Sequence, residues 1–446
     1  MTHDRKFDLV VVGFGLSGAT AAAIATAAGA RTLVLDAAPK ELAGGNSLVS
    51  GNGFIATSSP SAMREYVHSL GTSMRAATTI AEGAEAVVSV LAALGVQLRQ
   101  VRKLGADFAE LPGAHAVERW RLADETGPSA VRLVQQRAIQ SGALVRFGSR
   151  SLGAEHLEGG GVRIFHRSGG AVSWSDARYG VVLACGGWGA RTRRYRSNHG
   201  SPFSQGDGLR VAADLGARPA PGPHYSGPFY GFSIPSSRQA LTPTALYSVT
   251  DPHPVLRHRL ISRRTLEPLV PADPRLHGLA RSRQGLLYVP DFEDAILLFT
   301  EEDLSSGPLV GSWPDGHART WGRLTHTPWS LSNEVEIRQG WVRHVGGSIR
   351  QTVGAALRSD LFGMAVSPTV LNTLGGLRTD ESYRVLGRSG PVPGLFSAGE
   401  LASVFRMRYQ GSANLTECVI SASRAVGSAL SGAKASGKDS PRPWTR

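Results

Sequence analysis

Residues 8–36 hold the pattern that most restricts what this chain can fold into. A β-branched run at 8–12 (DLVVV) predicts a buried strand. The turn Gly13-Phe14-Gly15-Leu16-Ser17-Gly18 follows, and then an alanine-rich stretch of high helix propensity at 19–30, closed by Gly29. Residues 31–36 (RTLVLD) predict a second strand. Strand, glycine turn, helix and strand make a parallel βαβ unit. In such a unit the first glycine permits the tight turn and the second lets the backbone approach a pyrophosphate. The third lets helix and strand pack closely. The helix N-terminus offers unpaired N–H groups and its positive dipole end to the phosphates. Asp36 ends the second strand, 21 residues after Gly15, where a carboxylate accepts hydrogen bonds from a ribose. The unit points to a bound dinucleotide; the competing reading is a glycine-rich turn in an unrelated α/β protein.

A second glycine-rich segment follows, Gly44-Gly45-Asn46-Ser47 and then Ser50-Gly51-Asn52-Gly53. A bulky ring lying against backbone needs such a segment, because side chains would block the approach. Residues 60–140 read as mostly helical. Short strands are expected at 142–147, 161–166, 171–174 and 179–184, the last running into Cys185-Gly186-Gly187. Gln205-Gly206-Asp207-Gly208 opens a helix reaching Gly216. From about 219 the α/β texture is lost and Pro and aromatic residues rise. Residues 221–365 hold seven of the 13 His and four of the eight Trp, which suggests an inserted domain over a ligand. The α/β texture returns near 366, with a helix after Tyr409-Gln410-Gly411-Ser412-Ala413-Asn414-Leu415-Thr416 that reaches Leu430. A Gly, Ser, Lys and Pro tail closes the chain and is expected to be flexible.

Composition narrows the chemistry. Two cysteines, Cys185 and Cys418, exclude a disulfide scaffold and a cysteine-held cluster or zinc site within this chain. Net charge is +13, yet Lys contributes five residues only. The densest basic clusters, 191–196 and 257–264, lack the aromatic interleaving of a single-strand binder. No nucleic-acid partner is expected. No apolar run reaches 18 residues, so no transmembrane segment is expected. Arg5 and Lys6 before an apolar stretch suggest a signal peptide, but the glycines at 13, 15 and 18 fit the βαβ unit better. A cytoplasmic location is expected.

GFGLSG, GGNS…GNG, LACGG, GDG, NTLGGLRTD, PVPGLFSAGE and YQGSANLT occur in this order. Together they resemble the flavoprotein superfamily of fumarate reductase, succinate dehydrogenase and 3-ketosteroid dehydrogenase. YQGSANLT and His224-Tyr225-Ser226-Gly227 look most like its tricarballylate dehydrogenase branch. The resemblance implies an α/β fold. A Rossmann-like FAD-binding domain of glutathione-reductase type would span 1–218 and 366–432, an α+β cap (substrate) domain 219–365, and a flexible tail 433–446. It implies that Gly13, Gly15, Ser17 and Gly18 bind the pyrophosphate and Asp36 the adenosine ribose. Gly45, Asn46, Ser47 and Gly53 would line the ribityl chain and ring. Val145, Ala184 and Gly186 would lie near adenine, and Gly399 and Glu400 at the ribityl chain. Ser412 and Leu415 would face the flavin O2 edge. Leu16, Ala37, Gly44, Ser50, Gly51, Asn52, Cys185, Asp207 and Asn414 complete the expected cofactor contacts. Asn46 stands where succinate dehydrogenase carries a flavin-linked His, so FAD is expected to be non-covalent. A single GxGxxG unit leaves a quinone, a carrier protein or O₂ as the electron partner.

The resemblance also bears on the reaction. Gln410 and Asn372 stand where fumarate reductases have Arg and His, which disfavours fumarate or succinate as substrate. The ketosteroid and tricarballylate branches have Tyr where Tyr409 stands. Its phenol is the candidate acid or base, with Arg406 and Arg408 adjacent to lower its pKa. His224 and Tyr225 are candidate pocket residues, Arg408 a candidate carbonyl or carboxylate clamp, and Asn52 a candidate partner of flavin N5 or substrate. Three functions stay open. The first is an FAD-dependent oxidoreductase acting on a CH–CH group beside a carbonyl or carboxyl. The second is a flavin oxidase or redox-neutral flavin enzyme of specialised metabolism. The third is a non-catalytic FAD-binding interaction subunit.

Overall fold

The computed structural model describes residues 5–191, 197–198, 200–220, 372–373, 375–405, 408 and 410–435. It also describes 228–233, 244–246, 260–262, 264, 280–281, 287–288, 295–300, 342–344 and 361–370. The chain divides into two compact units. One comprises Met1–Arg191, Phe203–Tyr225 and Thr373–Arg446; the other comprises Thr192–Pro202 and Ser226–Asn372.

The first unit is built on the predicted βαβ start. Strand β1 (Lys6–Val12) is buried from Phe7 onward. Helix α1 (Leu16–Ala27) follows, and β2 (Thr32–Leu35) pairs parallel to β1, with Val12 opposite Leu35. Burial on both faces is why these strands read as continuous apolar runs rather than alternating ones. The alanines of α1 let it sit close between two other helices, α4 (Ala130–Gln140) and the long α6 (Ala413–Ala435). Before α4 come β3 (Gly53–Ala56), α2 (Pro60–Ser69), α3 (Met74–Ala93), β4 (Leu98–Gln100) and β5 (Glu118–Leu122). After it come β6 (Leu144–Arg146), β7 (Ser149–His156), β8 (Val162–Ser168), β9 (Ala171–Leu183) and α5 (Asp207–Asp214). Two late strands, β10 (Arg384–Leu386) and β11 (Pro391–Ser397), return to the same sheet.

The main sheet runs β10-β11-β9-β1-β2-β6, with the β7–β8 hairpin joined through β8 to β9. The central pairings, β11–β9, β9–β1, β1–β2 and β2–β6, are all parallel. Val10, Leu33, Ile164, Val181, Leu183 and Leu395 form its core, and each fully buried Val, Leu or Ile contributes roughly 1.5–3 kcal/mol. Parallel strands with helices against them make this the expected α/β fold.

Several local expectations change. The stretch 60–140 is not uniformly helical: β4 and β5 interrupt it and form an antiparallel sheet with β3. Residues 171–183 are one strand, not two, because the first part pairs with β8 and the second with β1 and β11. Helix α6 continues to Ala435, so the first residues assigned to a flexible tail are helical. Helix α3 is long and apolar enough to cross a membrane by length and composition alone. Its apolar side, including Ile80, Ala84, Val87 and Leu91, is buried, and it packs on α2 and α6.

In the second unit the described residues are mostly strands. Leu361–Val370 pairs antiparallel with Pro228–Ser233 and with Ala295–Thr300, and parallel with Ser197–Asn198.

Candidate functional site

The C-terminal ends of β1, β2 and β9 bring the first glycine turn, Asp36 and Ala184 together, the edge at which open α/β sheets bind ligands. Gly13 has φ +100, and a Cβ there would lie 2.4 Å from the Ala184 carbonyl oxygen. A Cβ on Gly18 would lie 1.9 Å from the Gly13 carbonyl oxygen. Backbone on both sides fixes these two as glycine. Gly15 caps α1 in extended conformation with no side-chain cap of its own, which leaves the first N–H groups of that buried helix without intrahelical partners. Asp36 is buried and locks the turn. Its Oδ2 accepts from Phe14 N–H at 2.6 Å and its Oδ1 from Ala38 N–H at 2.8 Å. Burial raises its pKa, opposed by those two N–H groups and by the charges of Arg150 and Arg132. Val145 continues the edge on β6, opposite Val34. Glycines that a Cβ would fill, a helix N-terminus and a strand-end carboxylate fit the diphosphate and ribose of a dinucleotide.

The second glycine segment reaches the first. Leu16 N–H donates to Ser47 Oγ at 3.2 Å, and a Cβ on Gly15 would lie 3.3 Å from the Gly44 carbonyl oxygen. Gly44 and Gly45 both have positive φ. Ser50 Oγ donates to Ser47 O at 2.9 Å and closes the turn leading to Gly51. Asn46 Nδ2 donates to Glu400 Oε2 at 3.1 Å. Glu400 is half-buried. Its Oε1 accepts from Thr373 N–H at 2.6 Å and from Thr373 Oγ1 at 2.8 Å. Burial raises its pKa too. Gly399 has φ +68, and a Cβ there would lie 2.1 Å from Ser17 Oγ. Ser412 closes on Gly53, whose Cβ would lie 2.5 Å from Ser412 Oγ. Thr416 Oγ1 bonds both backbone groups of Ile55, which ties α6 to β3. Leu415 is buried beside it and Asn414 half-buried. Segments 13–18, 44–53, 399–400 and 412–416 are thus joined in one place.

Other expected site residues have these contacts. Asn52 has φ +49 and its Oδ1 accepts from Ala130 N–H at 3.0 Å, so that oxygen serves the N-terminus of α4. Asp207, in the first turn of α5, pairs with Arg150 and, at 3.2 Å, with Arg210. Arg408 Nη1 donates to Ser69 O at 3.1 Å at the end of α2, with its guanidinium 5.9 Å from the Phe108 ring centre. Burial pushes the Cys185 and Cys418 thiols up to about 12, so neither supplies a thiolate near neutral pH. Ala37 is half-buried between Asp36 and Ala38, and Gly186 has φ +66. Tyr409, His224 and Tyr225 lie outside the described residues. Among the described residues no cluster of His, Cys, Asp or Glu is arranged to hold a metal.

Sequence reading missed several contributors. Gln135 on α4 is buried, and its Nε2 donates to Phe14 O at 2.6 Å from behind the first turn. Thr373 sits in the recognised NTLGG segment but only its contact with Glu400 gives it a role. Tyr66 and Asp107 bond Gln410, and Arg119 bonds Asp107 and the next residues, Gly411 and Ser412; all three come from segments that carry no motif.

The profile of the FAD binding domain family matches residues 8–225 and 335–415, about two thirds of the chain. No curated protein matches the chain. Solved structures do. The 3-ketosteroid-Δ4-(5α)-dehydrogenase of Rhodococcus jostii RHA1, in complex with 4-androstene-3,17-dione, is 20% identical with TM-score 0.63; the match covers 96% of this chain and 97% of that one. The 3-ketosteroid Δ1-dehydrogenase of Sterolibacterium denitrificans, in complex with 1,4-androstadiene-3,17-dione, is 15% identical with TM-score 0.72, covering 96% and 100%. The open conformation of a flavocytochrome c3 fumarate reductase is 18% identical with TM-score 0.64, covering 96% and 79%. At these identities the likeness establishes the fold.

Proposed function

Because the chain belongs to the FAD binding domain family, we propose that it is an FAD-dependent oxidoreductase acting on a CH–CH group beside a carbonyl or carboxyl. It would desaturate that bond or reduce the corresponding alkene. The observation that carries the reading is the joining of four separate segments, three of them glycine-containing, around one dinucleotide cradle. Likeness over nearly the full length of two 3-ketosteroid dehydrogenases supports the CH–CH chemistry. The motifs YQGSANLT and HYSG support a place near the tricarballylate dehydrogenase branch.

When bound, FAD supplies a hydride acceptor or donor at its N5. The chain's residues have the remaining tasks. Gly13, Gly15 and Gly18 admit the diphosphate, Asp36 holds the ribose, and Asn46 and Glu400 brace the wall beside the ribityl chain. Asn46 offers an amide where a covalent flavin link would need a histidine, so the cofactor is held non-covalently. Tyr409 Oη moves the proton at the carbon next to the one that exchanges hydride, an assistance worth about 10²–10⁴-fold. Gln410 is fully buried, and its amide is engaged with Tyr66, Asp107 and Gly411. It therefore offers no cation to a dicarboxylate, which favours a substrate other than fumarate or succinate. An external carrier, a quinone or O₂ takes or gives the electrons.

The test is anaerobic bleaching of the bound flavin against a panel of saturated ketones and carboxylic acids. A substrate that bleaches the parent should bleach Tyr409→Phe about 10²-fold more slowly. Bleaching of Tyr409→Phe at the parental rate removes Tyr409 from the reaction. Failure of every saturated compound, together with peroxide formation on an amine or alcohol, replaces the reading with an oxidase.

A further inference from the structure

A set of polar side chains joins the segment 101–117, between β4 and β5, to the turn that opens α6. Tyr66 on α2 donates to Gln410 Oε1, and Asp107 N–H donates to the same oxygen at 2.9 Å. Gln410 Nε2 donates to Asp107 Oδ2 at 3.3 Å and to Gly411 O at 3.0 Å. Asp107 Oδ2 also accepts from Gly411 N–H at 2.7 Å, while its Oδ1 pairs with Arg119 Nη2. Arg119, on β5, donates from Nε to Gly105 O at 2.9 Å. Its Nη1 reaches both Gly411 O and Ser412 Oγ, the latter at 3.0 Å. One guanidinium thus spans the loop and the turn with all three of its nitrogens.

The turn it holds is unfavourable by itself. Ser412 has φ +70, a left-handed conformation that is unfavourable for a residue with a side chain. A cation beside a helix N-terminus is also opposed by the helix dipole. Yet Ser412 immediately precedes the 23 residues of α6 and stands against Gly53, where a Cβ would be 2.5 Å from its Oγ. The glycine at 53 and the left-handed serine at 412 are two sides of one contact, and Arg119 is what fixes the second side.

We propose that Arg119, oriented by Asp107, is a positioning residue for FAD: it holds the Gly411–Ser412 turn in the left-handed conformation against which the second glycine segment closes. The inference rests on the FAD reading of that segment. A lysine at 119 keeps the charge but not the fork that reaches four separate acceptors.

The experiment titrates FAD into apo-protein of the parent, Arg119→Ala, Arg119→Lys and the double variant Arg119→Ala/Ser412→Gly. Urea unfolding of each apo-protein is measured alongside. The expected result is FAD affinity about tenfold weaker in Arg119→Ala, and weaker also in Arg119→Lys. Adding Ser412→Gly should recover at least about threefold of that loss, because glycine adopts φ +70 without Arg119. Rescue by a glycine at 412, 293 residues from the substituted arginine in sequence, is an effect that general loss of packing would not produce. Parental affinity in Arg119→Ala, or a loss that Ser412→Gly leaves unchanged, overturns the proposal. If Arg119→Ala does not fold, Arg119→Lys and Asp107→Asn carry the test, and parental affinity in both overturns it. A parent that takes up no FAD is a separate result: it removes the cofactor reading itself.

Discussion

Asn46 and Glu400, 354 residues apart in sequence, meet through a 3.1 Å hydrogen bond from the asparagine amide to Oε2 of the half-buried carboxylate. The other oxygen takes both the N–H and the hydroxyl of Thr373. One carboxylate therefore ties the second glycine segment to the point where the chain re-enters the FAD-binding unit. Glu400→Gln replaces an acceptor oxygen with an NH₂ that faces donors. At least one of the donors from Asn46 and the buried Thr373 loses its acceptor, which costs up to about 1–3 kcal/mol. Urea unfolding of the apo-protein should show that loss. A variant as stable as the parent would mean that the glutamate does not serve both partners.

Gly18 and Gly216 separate close approach from backbone conformation. A Cβ on Gly18 would sit 1.9 Å from a carbonyl oxygen of the turn, and backbone cannot yield there. Gly216 has φ +82 with nothing within 4 Å of its would-be Cβ. Gly18→Ala should abolish FAD uptake, read as flavin absorbance per mole of purified protein. Gly216→Ala should keep full uptake and lose about 1 kcal/mol of stability. Flavin retained at parental stoichiometry in Gly18→Ala would show that the helix does not need to pack so closely on its strand.

The βαβ start of the fold and its glycine turn were legible in the sequence because each part sits in a short local pattern. Gly13, Gly15, Gly18 and Asp36 are fixed by one βαβ unit, and the apolar run of β1 announces burial on both faces. What was not legible depends on contacts between distant segments. Asn52 stands in a glycine motif, yet its oxygen serves the first turn of α4, 78 residues away. Arg119 lies in ERWRL, whose local pattern is that of a half-buried strand; its partner Ser412 is 293 residues off. Gln410 could be seen to replace an arginine, but not that Tyr66 and Asp107 use up its amide. Strand β9 is continuous although its two ends have different neighbours, a fact of sheet order rather than of local pattern.

His166 on β8 gives the fold a defined acid sensitivity. Its ring is buried, with Nε2 3.3 Å from Ser175 Oγ and 3.5 Å from Arg146 Nη1. Burial first, then the charges of Arg146 and Arg5, pull its pKa down from the ordinary 6.5 to about 4. The unfolded chain therefore binds a proton to this histidine before the folded chain does. Stability from the neutral ring is complete above pH 6.5, falls as pH drops toward 4, and changes no further below that. At pH 5 the loss is about 2 kcal/mol. His166→Gln removes the titrating group and leaves a polar side chain near Ser175. Urea midpoints of the two apo-proteins, measured at pH 7.5 and at pH 5, isolate the term. The parent should lose about 2 kcal/mol more than His166→Gln across that interval. Equal losses in the two proteins would show that the ring is solvated enough to carry its proton in the folded state.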